Sequence, residues 1–235
     1  MKIEIWSDYV CPFCYIGKRR LEEALESTNL ADQAEVVFKS YQLDPNTPTD
    51  ASGSSLDGLA KKFGVSLGEA SKMMENVAEQ AKTVGLNYNV EGMKVANTFN
   101  AHRLAKLGEL EGKAEATTER LMQAHFINGE LLGDEATLLA IAEEAGLSKE
   151  RAQQMLQSEE FAADVQKDIA EAGQIGVQGV PFFVINRKYA ISGAQPKEAF
   201  EEALKKVAAE EGIQPKLKVL GGEGQGICND DNCEI

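Results

Sequence analysis

The stretch Lys2-Ile3-Glu4-Ile5-Trp6-Ser7-Asp8-Tyr9-Val10-Cys11-Pro12-Phe13-Cys14-Tyr15-Ile16-Gly17-Lys18 decides how the rest of the chain is read. Its first residues form a short apolar run, expected as a strand. Cys11 then opens a segment continuing through Leu21 and Leu25 with the spacing of an amphipathic helix. A strand entering a helix whose first turn carries C-x-x-C suits dithiol–disulfide exchange. Backbone N–H groups lack partners at a helix start and the macrodipole is positive there, so a thiolate is favoured. Cys11 is therefore expected to ionise more readily than a free thiol of pKa about 8.5. Pro12 at the first helical position costs no hydrogen bond. Cys14 lies one turn further in, placed to close a small-loop disulfide and expected to be the less exposed partner.

Working outward, a second strand is expected over Val36–Leu43, followed by a polar boundary containing Pro45, Pro48 and Gly53. Helical periodicity then dominates, with helices expected near 55–63, 66–84, 97–111, 114–127, 135–145, 148–157 and 159–172. Gly64, Gly85, Gly112, Gly129, Gly146 and Gly173 stand where helix-ending glycines belong. Ser66 and Ser148 are expected as N-caps, and Glu69 completes a capping box with Ser66. Strand character returns at Phe182–Asn186 and Tyr189–Ile191, across a turn at Asn186-Arg187, before a helix from about Pro196 to Glu211.

A βαβ unit, a helical block and a ββα unit together predict an α/β protein: a thioredoxin-like fold with a large all-helical insertion. The boundaries expected are 1–50 for the first part of the thioredoxin-like domain, 51–174 for the insertion and 175–212 for the second part. A glycine-rich tail, 213–235, carries Cys228 and Cys233.

Val180-Pro181 precedes the third strand. A proline is tolerated at the first position of a strand, and a cis X–Pro bond suits so tight an approach. Four segments share a resemblance to the FrnE-like branch of the DsbA family of thiol–disulfide oxidoreductases. They are Asp8–Lys18, Asn97–Arg103, Gly179–Phe183 and Ile191–Gln195. The resemblance implies a disulfide oxidoreductase or isomerase with a helical insertion, usually cytoplasmic. It implies a cis Pro181 facing Cys11 and Cys14, with the backbone of Val180 pairing with the incoming peptide. Pro12, Phe13, Val180, Phe182 and Trp6 are expected to line an apolar approach for protein or peptide disulfides. Some members of the branch also carry a C-terminal C-x4-C, similar to Cys228–Cys233, here a candidate secondary redox pair. Asp230 and Asp231 between these cysteines should raise their pKa values and slow attack. Phe13 stands where DsbA has a histidine; it cannot donate to sulfur, so a more reducing couple is expected.

Composition narrows the partners. The formal net charge of −14 argues against nucleic acid or an anionic membrane surface. The first strand starts almost at the initial Met, with no basic and apolar leader before it, and no run is long enough to span a bilayer. A cytoplasmic protein is expected, needing no metal or organic cofactor, and recycled by glutathione or a thioredoxin-type reductant.

Other readings compete. Cys11, Cys14, Cys228 and Cys233 could form a four-thiolate zinc site, although the first pair opens a long helix rather than a knuckle. Glutathione-dependent chromene-carboxylate isomerases and kappa-type transferases look similar in their insertion but typically place serine where Cys11 stands. A non-enzymatic redox or metal sensor would work through the tail pair. His102 either faces the dithiol and contacts a substrate or glutathione, or is packed near a helix start capped by Asn97 or Thr98; the second is the simpler reading. Met73, Met74, Met122 and Met155 fall in helical patterns and are expected in the core.

Overall fold

Strands β1 (Lys2–Ser7), β2 (Glu35–Ser40), β3 (Phe182–Ile185) and β4 (Tyr189–Ser192) form a sheet of order β2-β1-β3-β4. β1 runs parallel to β2 and antiparallel to β3, which pairs antiparallel with β4. The computed structural model describes residues 1–214 and the backbone of two short strands, Cys228–Asn229 and Asn232–Cys233. Those two pair antiparallel with Cys228 opposite Cys233. The side chains of the expected secondary redox pair lie outside the described residues.

The helices are α1 (Pro12–Ser27), α2 (Ser55–Phe63), α3 (Leu67–Lys82), α4 (Phe99–Leu110), α5 (Ala114–Gln123), α6 (Glu135–Glu144), α7 (Lys149–Leu156), α8 (Ala162–Gln174) and α9 (Lys197–Glu210). Successive strand residues point to opposite faces. Ile3 and Ile5 of β1 accordingly join Phe183 and Ile185 of β3 in packing against Leu21 and Leu25 of α1 and Phe200, Leu204 and Val207 of α9. Trp6 and Val184 face the other way, against Ala172 of α8 and Val177. The largest cluster fills the helical block and extends through Tyr9, Cys11, Cys14, Tyr15 and Ile16. The dithiol therefore sits on the seam between helical core and sheet. No helix among the described residues is long and apolar enough to cross a membrane.

The fold is that expected of the sequence, a thioredoxin-like sheet accompanied by a helical insertion. The capping box of Ser66 and Glu69, the Ser148 cap and the left-handed turn at Asn186-Arg187 are all present. The differences have local causes. β2 stops at Ser40 because β1 ends at Ser7, and the Leu43 N–H goes instead to Asp8 Oδ2 at 2.8 Å. The helix expected from 97 starts at Phe99, whose N–H is taken by Asn97 Oδ1. The segment expected as helix to 127 becomes a π-helical turn at Ala124–Asn128. The last helix of the block begins later than expected, after a left-handed Phe161, and runs past Gly173 to Gln174. Met122 and Met155 are buried, but Met73 is exposed on the outer face of α3, a correction to its expected core position.

Candidate active site

Cys11 occupies the N-cap of α1 with an extended backbone, and Pro12 is the first helical residue. The Cys11 N–H is anchored on Asp8 O at 3.1 Å, and the Cys14 N–H on Cys11 O at 3.0 Å. Both cysteines are free, buried thiols whose side chains come within 3.2 Å of each other. The expected contrast in exposure is slight, 4% against 2%.

Across from Cys11 lies the cis peptide Val180–Pro181. Cys11 Sγ donates to Val180 O at 3.4 Å. Pro181 O accepts from the Gly193 N–H at 2.8 Å, which ties the loop to the end of β4. α1 approaches closely through Gly17; a Cβ there would stand 3.0 Å from Phe183 Cζ and 3.1 Å from Pro181 Cγ. Arg20 Nη1, one turn on, donates to Ala194 O at 2.5 Å. From the helical side, Tyr88 OH donates to Pro12 O at 2.7 Å, with its ring stacked on Phe126.

Of the residues expected to contact substrate, Phe13 is exposed, Pro12 and Val180 are half-buried beside the dithiol, and Phe182 is half-buried against the Trp6 cluster. Trp6 is a correction. It is fully buried under α8, and its Nε1 donates to Asp168 O at 2.9 Å, so it lines no approach. The alternation of β1 places Trp6 opposite Ile5, and α8 covers that face.

Behind the cysteines is a buried polar cluster of Ser7, Asp8, Tyr9, His102 and His125. His102 Nε2 stands 3.3 Å from Asp8 Oδ1, and its ring lies 4.8 Å from that of Tyr9. His102 is thus packed and bonded, as the simpler reading has it. Burial pushes the Cys14 thiol well up, and contact with Cys11 adds to the rise; the Ser7 hydroxyl and the Asp8 backbone oppose it. Burial likewise raises the Tyr9 and Tyr88 phenols, so both stay protonated at neutral pH. The importance of Ser7 and Asp8 was missed in the sequence. The available signal was a polar pair ending an apolar strand immediately before C-x-x-C.

Among the described residues, no three His, Cys, Asp or Glu side chains are grouped to hold a metal. The four-thiolate alternative needs Cys228 and Cys233, whose side chains lie outside the described residues. What the geometry offers chemically is two free thiols 3.2 Å apart beside the cis-proline loop.

Comparison with known proteins gives a consistent outcome. The family model of the DSBA-like thioredoxin domain matches residues 2–205. The chain is similar to the probable DsbA oxidoreductase SCO1869 from Streptomyces coelicolor, a solved structure. The TM-score is 0.85 at 36% identity, covering 100% of this chain and 99% of that one. It is 29% identical over 215 residues to the uncharacterized protein YwbO of Bacillus subtilis (strain 168), covering 86% of this chain and 94% of that protein. A 2-hydroxychromene-2-carboxylate isomerase shares the fold, with a TM-score of 0.66 at 14% identity over 90% of this chain and 98% of its own.

Proposed function

The chain belongs to the DSBA-like thioredoxin domain family, and from that premise we propose a thiol–disulfide oxidoreductase acting on protein or peptide disulfides through Cys11 and Cys14. The observation that carries this reading is the pair of free thiols 3.2 Å apart, with Cys11 Sγ against the carbonyl of the cis-proline loop. Cys11 attacks as thiolate on one sulfur of a substrate disulfide. A Cys11–substrate bond forms and the other substrate sulfur leaves with the electron pair. Cys14 then attacks Cys11, forming the Cys11–Cys14 disulfide and releasing the second substrate sulfur as thiolate. The substrate gains two electrons and the dithiol loses two; in the reverse direction the protein oxidises a dithiol.

Val180 and Pro181 hold an extended substrate beside Cys11, while Phe13, Pro12 and Phe182 supply apolar contact. Phe13 is exposed and has no proton to give to sulfur, which favours a reducing couple recycled by glutathione or a thioredoxin-type donor in the cytoplasm. The helical block and the Asn97–Arg103 segment support placement in the FrnE-like branch. The test is a glutathione redox titration of the full chain, with alkylation and mass readout of each cysteine. Cys11 and Cys14 should interconvert together as a two-electron couple, and Cys11→Ser should abolish turnover. Inert Cys11 and Cys14 would sink the reading. Glutathione-dependent isomerisation that survives Cys14→Ser would favour the isomerase alternative.

A further inference from the structure

The first turn of α1 offers the Cys11 sulfur few donors. Pro12 has no N–H, and the Cys14 N–H is spent on Cys11 O at 3.0 Å. That leaves the Phe13 N–H, at the second helical position, where an N-cap side chain finds its donor. While Cys11 is a thiol no such cap bond forms, and Sγ donates to Val180 O at 3.4 Å instead. The oxygen of the same peptide unit is Pro12 O, which accepts the Tyr88 hydroxyl at 2.7 Å. A peptide whose oxygen is hydrogen-bonded becomes a stronger donor at its N–H.

The helical block aims Tyr88 at this peptide. Its ring is stacked on Phe126 with centroids 4.9 Å apart, and on Tyr15 at 6.3 Å. Phe126 belongs to the π-helical turn, and its backbone oxygen takes the Asn89 N–H at 2.7 Å. Gly129 ends that turn at φ +69°; a Cβ there would stand 2.7 Å from Gly92 O, so glycine permits the approach. Burial keeps the Tyr88 phenol protonated and hence a donor, with the Cys11, Tyr15 and Cys14 charges adding and Arg19 opposing. The ionic groups nearby are committed to one another. Tyr15 OH donates to Glu119 at 2.5 Å, and Lys18 and Arg19 each pair with Glu22 and Glu119.

We propose that Tyr88 is a positioning residue that stabilises the Cys11 thiolate through the Pro12–Phe13 peptide, and so sets the redox poise of the dithiol. The proposal rests on the dithiol reading above. On losing its proton, Cys11 Sγ has nothing left to donate to Val180 O and faces it as one acceptor against another. The sulfur takes the Phe13 N–H instead, a charge-assisted bond that the Tyr88 hydroxyl strengthens from the far side of the peptide. In the disulfide Sγ carries no charge, so the Tyr88 bond stabilises the reduced protein more than the oxidised one. Removing it makes the couple more reducing.

The experiment is a glutathione redox titration of the full-length chain with mass readout of each cysteine, run beside the pH profile of Cys11 alkylation by iodoacetamide. In the titration the dithiol gives two electrons to one glutathione disulfide, forming the Cys11–Cys14 bond and two glutathiones. Tyr88→Phe keeps the stacked ring and removes only the hydroxyl. It should favour the Cys11–Cys14 disulfide about two- to fourfold in the equilibrium constant, as when a charge-assisted hydrogen bond loses about 10–30% of its strength. The alkylation profile should move to higher pH. Tyr88→3-fluorotyrosine, a stronger donor of nearly the same shape, should shift both readings the other way, and it reads the same bond if Tyr88→Phe does not fold. A bond that only holds the structure together acts equally in both redox states and leaves the constant where it was. An unchanged constant and profile in either variant would therefore overturn the proposal, as would shifts of the same sign in both, which mark a packing effect. Failure of Cys11 and Cys14 to interconvert in the parent protein would instead overturn the dithiol reading itself.

Discussion

Both histidines of the chain are buried near Asp8, but their surroundings differ. His102 has the carboxylate at 3.3 Å, whereas His125 Nδ1 has no protein partner and its ring meets Phe126 edge-on. Burial pushes the His125 pKa down from the usual 6.5 to about 4, and the Asp8 charge only partly offsets that. The linkage has a definite sign. Above pH 6.5 the imidazole is neutral in folded and unfolded chains alike. Below it the unfolded chain binds the proton first, so stability falls as pH drops toward 4. Between pH 7 and pH 5 the loss should be about 2 kcal/mol. The carboxylates held below their usual range, Asp168 and Glu119, lose their contribution only at lower pH. Urea unfolding at the two pH values should show this loss in the parent protein and a much flatter response in His125→Leu. Parallel behaviour of the two proteins would remove His125 as the cause.

At the scale of elements, the site depends on how closely α1 lies on β3. Gly17 makes that approach possible, since any Cβ would press on Phe183 and Pro181. Neither neighbour has room to yield. Phe183 is fully buried and packed edge-on against Phe200 at 4.8 Å, and Pro181 is a rigid ring. In an exposed helix interior, replacing glycine by alanine gains about 1 kcal/mol. Here Gly17→Ala should lose about 1–3 kcal/mol by overpacking, and should widen the gap between Cys11 and Val180. Denaturant unfolding checks the first effect, and the rate of mixed-disulfide formation checks the second. A stabilised variant would show that the seam yields. Much at this scale was legible in the sequence, because strand, C-x-x-C helix, Val-Pro and glycine helix stops are local signals. The face that Trp6 buries was not. Period-two alternation separates Trp6 from Ile5, but which helix covers each side is decided by α8, more than a hundred residues later. The same holds for Asp8, whose partner His102 arrives with α4.

On the scale of the whole molecule, the question is what holds the helical block against the sheet, since the dithiol lies on that seam. Asp168 of α8 answers much of it. Its carboxylate takes Lys39 Nζ from β2 at 2.9 Å, Lys106 Nζ from α4 at 2.7 Å and the Ser40 N–H at 3.1 Å, and its backbone oxygen takes Trp6 Nε1. Burial alone would raise its pKa, but the bonds from Lys106 and Lys39 outweigh that and hold it below the usual carboxylate range. Its contribution is therefore present above that range and lost as pH falls through the lowered value. Nothing in the sequence around Asp168 marks it, since a lone aspartate on an amphipathic helix reads as solvated surface until both lysines are brought to it. Asp168→Ala leaves two largely buried ammonium groups without their shared partner and one sheet N–H unpaired. A fully buried pair broken on one side costs about 3–5 kcal/mol; with both lysines partly exposed, about 2–3 kcal/mol is the expected loss here. Asp168→Asn keeps an acceptor for Ser40 and should recover part of it. Hydrogen exchange should quicken in α8 and β2 while α1 and α9 stay protected, because the other face of the sheet keeps its own core. Uniform loss of protection would mean that sheet and helical block unfold as one unit, with Asp168 only one contributor among many.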